Sequence, residues 1–160
     1  LEQFKPWNTN GIEGVYRFLR KFWNLFFNEN GKLAVIDADP SKEELKILHK
    51  TLKKVEEDIE RLSFNTSVST FMICVNTLGE LKCRNKSVLE SLVIAVSPYA
   101  PHIAEELWQK LGHTTSIAYA TFPQWDETFI SEDNFEYPVS INGKMRVKMI
   151  FPCKRRKRCS

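Results

Sequence analysis

Over most of the first 112 residues the apolar positions recur at spacings of three and four, the period of helices that bury one side. Ile12, Val15, Tyr16, Leu19, Phe22, Trp23 and Phe26 form the first such run. It predicts a helix through about Asn28, stopped by Asn28-Glu29-Asn30-Gly31. A second run follows Asp39-Pro40, where Ser41 and Glu44 make a Ser-x-x-Glu capping box. Its stripe is Leu45, Leu48, Leu52, Val55, Ile59 and Leu62, flanked by charges such as Lys53, Glu57 and Arg61 at i, i+4 intervals. The third run, Phe64, Val68, Phe71, Met72, Val75 and Leu78, is nearly free of charge, which predicts the most buried helix of the set. Asn65 is its expected cap, and Gly79 with the Arg84-Asn85 turn its expected end. A fourth run starts near Lys86 and carries Leu89, Leu92, Val93 and Val96 into Pro98.

Residues 97–108 anchor this pattern. Pro98 breaks one apolar run, and Pro101 suits the first turn of the next, where its missing N–H would be unpaired anyway. Two helical pieces should therefore meet here at a kink. In the second piece Ile103, Ala104, Leu107, Trp108 and Leu111 share one face, with Glu105, Glu106, Gln109 and Lys110 on the other. It ends at Leu111-Gly112.

After Gly112 the texture is polar and marked by prolines, with Phe122, Pro123 and Trp125 as expected packing points. Two β-type runs between Tyr137 and Ile150 are then joined by Asn142-Gly143, a strong hairpin signal. An isolated hairpin is marginal in water, so this one needs the bundle or a further partner. The fold expected is all-α, a bundle of four to five helices with a C-terminal irregular segment and β-hairpin. Its parts are a linker over 1–10, the bundle over 11–112, the irregular segment and hairpin over 113–152, and a basic tail over 153–160. The tail resembles a localisation or nucleic-acid run and reads equally as an appended or frame-altered end, and the abrupt start reads as the edge of a longer protein.

Composition changes little. A hydrophobic content of 42% with 27% charged residues fits a chain that can bury a core. No apolar run approaches membrane-spanning length and nothing at the N-terminus resembles a signal peptide, so with the cysteine usage a cytoplasmic protein is expected, and the bundle reading makes it a monomer. The net charge of +3 is misleading, because Lys154, Arg155, Arg156, Lys157 and Arg158 outweigh it and leave the body acidic. Nucleic-acid binding must then rest on local patches.

Catalytic chemistry is missing. Cys74, Cys83, Cys153 and Cys159 lack paired-ligand spacing, so no metal site is expected, and Cys74 reads as a small core residue in a reducing compartment. His49, His102 and His113 lie far apart. His49 reads as a solvated or seam-edge residue and His102 as a cap or core hydrogen-bonding group. Glu105 and Glu106 point about 100° apart on a helix and read as a solvated pair. No Gly-rich phosphate loop occurs. The expected catalytic set and the expected cofactor set are both empty.

What remains is a basic cluster on the first helix, Arg17, Arg20 and Lys21. Arg17 and Lys21 are one turn apart and project side by side. Cations on a rigid element are all that phosphate contact requires. On composition alone an ordinary solvated helix face is the simpler explanation, and Tyr16, Phe18 and Trp23 suit core packing better than base stacking.

These residues together resemble a known family. Gly11-Ile-Glu-Gly14-Val-Tyr-Arg17-Phe18-Leu19-Arg-Lys21-Phe-Trp23 is similar to the first helix of the anticodon-binding domain of bacterial-type leucyl-tRNA synthetases. His49-Lys50-Thr51, Lys54-Val55-Glu-Glu-Asp58-Ile59 and Phe64-Asn65-Thr66 resemble its second and third helices. Ala100-Pro101-His102-Ile103-Ala104-Glu105-Glu106-Leu107-Trp108 is similar to a signature shared by class I synthetases for leucine, valine and isoleucine. Pro123-Trp125-Asp126 and Val139-Ser-Ile-Asn142-Gly143-Lys144-x-Arg146 look like the passage into the C-terminal domain.

The resemblance covers about residues 4 to 151 and implies a helical bundle that grips the body of tRNA(Leu). In such enzymes an upstream catalytic domain joins leucine to tRNA using ATP and magnesium. Its His-x-Gly-His and Lys-Met-Ser-Lys-Ser motifs are absent here, so this stretch should be inactive alone. The implied partners are tRNA(Leu) and the enzyme's own catalytic and C-terminal domains. Arg17 and Lys21 match tRNA-contacting positions, with Arg20 a weaker addition. The alternatives are the same domain of a valine or isoleucine enzyme, or a non-catalytic helical interaction module.

Overall fold

The computed structural model describes residues 11–130 and, as paired strands, residues 134–141 and 144–152. The expected linker over 1–10 and basic tail over 153–160 lie outside the described residues. The helices are α1 (Ile12–Asn24), α2 (Lys42–Glu60), α3 (Phe64–Glu80), α4 (Lys86–Val96), α5 (Pro101–Lys110) and the short α6 (Glu127–Ile130), with a 3-10 turn at Ile117–Tyr119. The strands are β1 (Asn134–Ile141) and β2 (Lys144–Pro152). The chain divides into two compact units, Leu1–Phe129 and Ile130–Ser160.

In the first unit α2 packs on α3 and α4, α4 on α5, and α1 on α3. Phe22, Phe26, Leu52, Val55, Phe71, Leu78, Leu89, Leu92 and Leu107 fill the shared core. In the second unit β1 and β2 pair antiparallel, Phe135 opposite Phe151 and Val139 opposite Val147, with an irregularity between Val139 and Ser140. The Asn142-Gly143 turn expected between them lies outside the described residues.

α2 forms where its chemistry says it should. Ser41 Oγ accepts from the Glu44 N–H at 3.2 Å, and Glu44 Oε2 accepts from the Ser41 N–H at 2.7 Å, closing the capping box. Leu48, Leu52 and Val55 of its stripe are buried. Near its end the buried Asp58 stays charged. Burial raises its pKa, but bonds from Lys54 (2.6 Å) and Thr66, with the charges of Lys54 and Arg61, more than offset this and hold the carboxyl below its ordinary value.

Three helices end in one way. After α2, the Ser63 N–H reaches the Asp58 carbonyl and Leu62 N–H that of Ile59; after α3, Cys83 reaches Leu78 and Lys82 reaches Gly79; after α5, His113 reaches Trp108 and Gly112 reaches Gln109. This is the Schellman pattern, which needs one residue with positive φ. Gly112 supplies it after α5 (φ 102), but Leu62 (φ 56) and Lys82 (φ 52) supply it after α2 and α3. The left-handed conformation costs a non-glycine residue about 1–2 kcal/mol, and a glycine costs the unfolded chain about 0.5–1 kcal/mol. Leu62, 64% exposed, has little packing to lose. Leu62→Gly is therefore expected to stabilise the unit by about 0.5 kcal/mol, measured as a raised denaturation midpoint with an unchanged m-value.

Several expectations are corrected. α1 stops at Asn24, not near Asn28, because the Leu25 and Phe26 N–H groups close tight bonds to the Phe22 and Trp23 carbonyls (3.1 and 3.0 Å). Phe26 and Phe27 then pair with the 33–34 segment, through Ala34 N–H to Phe26 O at 2.8 Å and the Phe27–Leu33 bridge. α3 is capped by neither Asn65 nor any other side chain. Its cap position is Ser63, whose N–H is already committed to the end of α2. Gly79 lies inside α3 and does not terminate it.

The most buried helix is α4, with Val88, Leu89, Leu92, Val93, Ala95 and Val96 all enclosed, and not α3. α3 has a solvated back with no charge before Glu80: Ser69, Thr70 and Thr77 return their hydroxyls to carbonyls four residues earlier, and Ile73 is 61% exposed. Between α4 and α5 the chain turns over residues 97–100, and Pro101 opens α5. The break is a turn between two helices.

Residues 120–129 run as a strap over the polar side of α2. Trp125 Nε1 donates to Glu56, Lys53 lies 4.7 Å above the Trp125 ring and 3.2 Å from Glu127, and Phe129 stacks on His49 at 4.7 Å. His49 is half-buried, the seam-edge one of its two expected settings: its Nδ1 accepts the Asp126 N–H at 3.0 Å. Burial lowers the His49 pKa from its ordinary 6.5, opposed by the Asp126 carboxylate. Protonation would also abolish the acceptor. The folded form thus takes up the proton less readily than the unfolded one. Stability from this latch is complete above about pH 6.5 and is lost as pH falls below it. Trp125 fluorescence is expected to report release of the strap below that pH, with His49→Gln, which keeps a neutral acceptor, removing the dependence.

Candidate nucleic-acid interface

The basic cluster stands on α1. Phe22, Leu25 and Phe26 bury its C-terminal end, and Phe18 and Trp23 pack at the core edge, parallel to Phe22 and Phe27 at 6.2 and 4.6 Å. The N-terminal half differs from expectation. Ile12, Val15 and Tyr16 follow the apolar spacing yet are 62%, 48% and 64% exposed, because no described element covers them.

Arg17, Arg20 and Lys21 are all exposed. Arg17 Nε donates to the Glu13 carbonyl at 3.4 Å, which leaves its remaining donors for a ligand. Lys21 Nζ donates to Asn76 Oδ1 of α3 at 2.8 Å, so it is aimed across the α1–α3 seam. Arg20 projects about 100° around the helix from Lys21 and does not share that line. Gly14 does share the face of Arg17 and Lys21, and a Cβ there would meet nothing within 4 Å.

Sequence reasoning missed the groove beside this face. About 800 Å³ in volume, it runs between the ends of α1 and α3 and is lined by Lys21, Asn24, Asn76, Glu80, Lys82 and Arg84 among others. Arg84 caps α1 from sixty residues away, donating to the Asn24 carbonyl at 2.8 Å and to that of Leu25. No local pattern announces such a contact.

Most of the other candidates hold the fold together. Glu105 is not solvated: its Oε2 accepts from Ser116 Oγ (2.9 Å) and the Ile117 N–H (3.1 Å), fastening the chain after α5. Glu106 pairs with Lys110 at 3.0 Å in the ordinary i, i+4 way. His102 is exposed and caps nothing, since α5 has no side-chain cap. His113 stacks on Trp108 at 3.5 Å and bonds Glu90 at 2.7 Å. Burial pushes the Cys74 thiol up to about 11 and the Cys83 thiol to about 12, so both are poor nucleophiles. Among the described residues no group of three or more His, Cys, Asp or Glu is arranged to hold a metal ion. Among them, too, no helix is long and apolar enough to cross a membrane.

A helix face that presents Arg17 and Lys21 to solvent suits holding a polyanion. The proteins it is similar to are tRNA ligases. The chain is 69% identical over 152 residues to a leucine–tRNA ligase of Cytophaga hutchinsonii and 60% identical over 152 residues to that of Flavobacterium johnsoniae. Each alignment covers 95% of this chain and 16% of the relative, so the chain spans about a sixth of their length. Among solved structures, the Agrobacterium radiobacter LeuRS–tRNA–LeuAMS ternary complex matches with a TM-score of 0.69 and 29% identity, over 92% of this chain and 21% of that one. The family described as the anticodon-binding domain of tRNA ligase matches residues 41–158, most of the sequence. The chain therefore belongs to the anticodon-binding domain family of tRNA ligases.

Proposed function

We propose that this chain is the tRNA-binding domain of a leucine–tRNA ligase, holding tRNA(Leu) while another part of the protein carries out aminoacylation with ATP and magnesium. The observation that carries the reading is the 69% identity to a leucine–tRNA ligase across 95% of the chain. Leucine ligases at this identity favour that reading over a valine or isoleucine enzyme and over an interaction module. Arg17 and Lys21, on one face of α1, supply cations to RNA phosphates, and Arg20 adds a weaker contact from the side. They position the RNA and do not read its bases. The whole protein is read as a cytoplasmic monomer whose catalytic and C-terminal domains are the bundle's neighbours.

Arg17→Ala with Lys21→Ala in the full-length protein is expected to weaken tRNA(Leu) binding about tenfold or more and to flatten its salt slope by roughly 1.5 to 2. Leucyl-adenylate formation without tRNA should persist. Unchanged tRNA affinity in a folded double variant would remove α1 as the contact.

A further inference from the structure

Lys82 is the cation of the α1–α3 groove that the fold does not use. It is exposed, at the positive-φ position after α3, and its ammonium has no hydrogen-bond or ion-pair partner among the described residues. Arg84 beside it is committed to the α1 carbonyls. The carbonyls that end α3 are also satisfied: Thr77, Leu78 and Gly79 accept from the Leu81, Cys83 and Lys82 N–H groups. The negative poles of both helix ends are therefore answered without the Lys82 ammonium. The groove's described lining holds one carboxylate, Glu80, against Lys21, Lys82 and Arg84. Its near wall is Lys21, which also belongs to the exposed face of α1, so face and groove are continuous.

We propose that this groove takes the phosphodiester backbone of the bound tRNA beyond the α1 face, with Lys82 contacting a phosphate from the far wall. The inference rests on the reading of the domain as tRNA-binding. Lys21, held at 2.8 Å by Asn76, marks the entrance and keeps two ammonium donors for phosphate. Glu80 lowers the affinity of the groove and stops it from holding small anions firmly.

The test uses Lys82→Gly in the full-length protein with a tRNA(Leu) transcript. Glycine is the residue best suited to this φ, so the variant keeps the turn and should be no less stable. Affinity should fall about three- to tenfold, and the slope of log K against log salt should flatten by about one. Glu80→Gln should strengthen binding a few-fold. If Arg17→Ala with Lys21→Ala loses affinity while Lys82→Gly and Glu80→Gln leave it unchanged, the groove is a structural seam and the inference fails alone. If none of the three changes affinity, the tRNA-binding reading of this surface fails with it.

Discussion

Phe22→Ala should lower the stability of the helical unit by about 3–5 kcal/mol, the range for emptying a buried aromatic site. Phe22 is fully enclosed, edge-on to Phe26 at 5.5 Å and parallel to Phe18 at 6.2 Å. Its ring is the main seat of α1, which packs on α3 through this end. α1 packs on α3, whereas α2, α3, α4 and α5 also pack on one another, so part of the cost should appear as undocking of α1. Denaturation followed by Trp23 fluorescence should then precede the loss of helical circular dichroism. tRNA affinity should fall as well, because Arg17 and Lys21 lose their fixed aim. A loss below about 1 kcal/mol would mean that α1 does not dock through Phe22.

Asn85→Ala should cost about 2–4 kcal/mol, combining a lost helix cap with a stranded buried carbonyl. Asn85 is 4% exposed. Its Oδ1 accepts from the Ser87 and Val88 N–H groups at 3.1 and 3.4 Å, opening α4. Its Nδ2 donates to the Ala38 carbonyl, and its backbone lies in a parallel bridge with Ile36. One side chain thus starts the most buried helix and fixes the loop leading into α2. Asn85→Ser keeps the cap but cannot reach Ala38, and should cost about half as much. Equal losses for Ala and Ser would show that the loop bond carries everything.

The features legible in advance were those with local causes. The α2 stripe, the Ser41–Glu44 capping box and the Pro101 start depend on neighbours within one or two turns. The aromatic packing points Phe122 and Trp125 are marked by their size alone, although Trp125 meets Glu56 across 69 positions. What escaped depends on distant partners. Lys21 meets Asn76 across 55 positions and His49 meets Asp126 across 77. Absence of charge also misleads: α3 reads as buried because it carries Ser, Thr and Asn where other helices carry Lys and Glu. Asn85 reads as a turn residue because its cap and loop bonds join segments that no periodicity connects. For the site, the cations of α1 are visible at i, i+4 spacing, but the groove beside them is not. It exists only where two helix ends converge.

The unequal anchoring of α1 sets how the helix breathes. Its last turn is seated in the core, whereas Ile12, Val15 and Tyr16 stand in solvent. Local opening should be nearly free at the first turn and should approach the global cost only toward Phe22, so backbone amide exchange would slow steadily along the helix. Arg17 lies at the middle of that gradient. A polyanion bound there must quiet the outer turns, and the entropy lost in doing so is subtracted from its affinity. Exchange protection gained at residues 12–17 on binding would measure that loss directly.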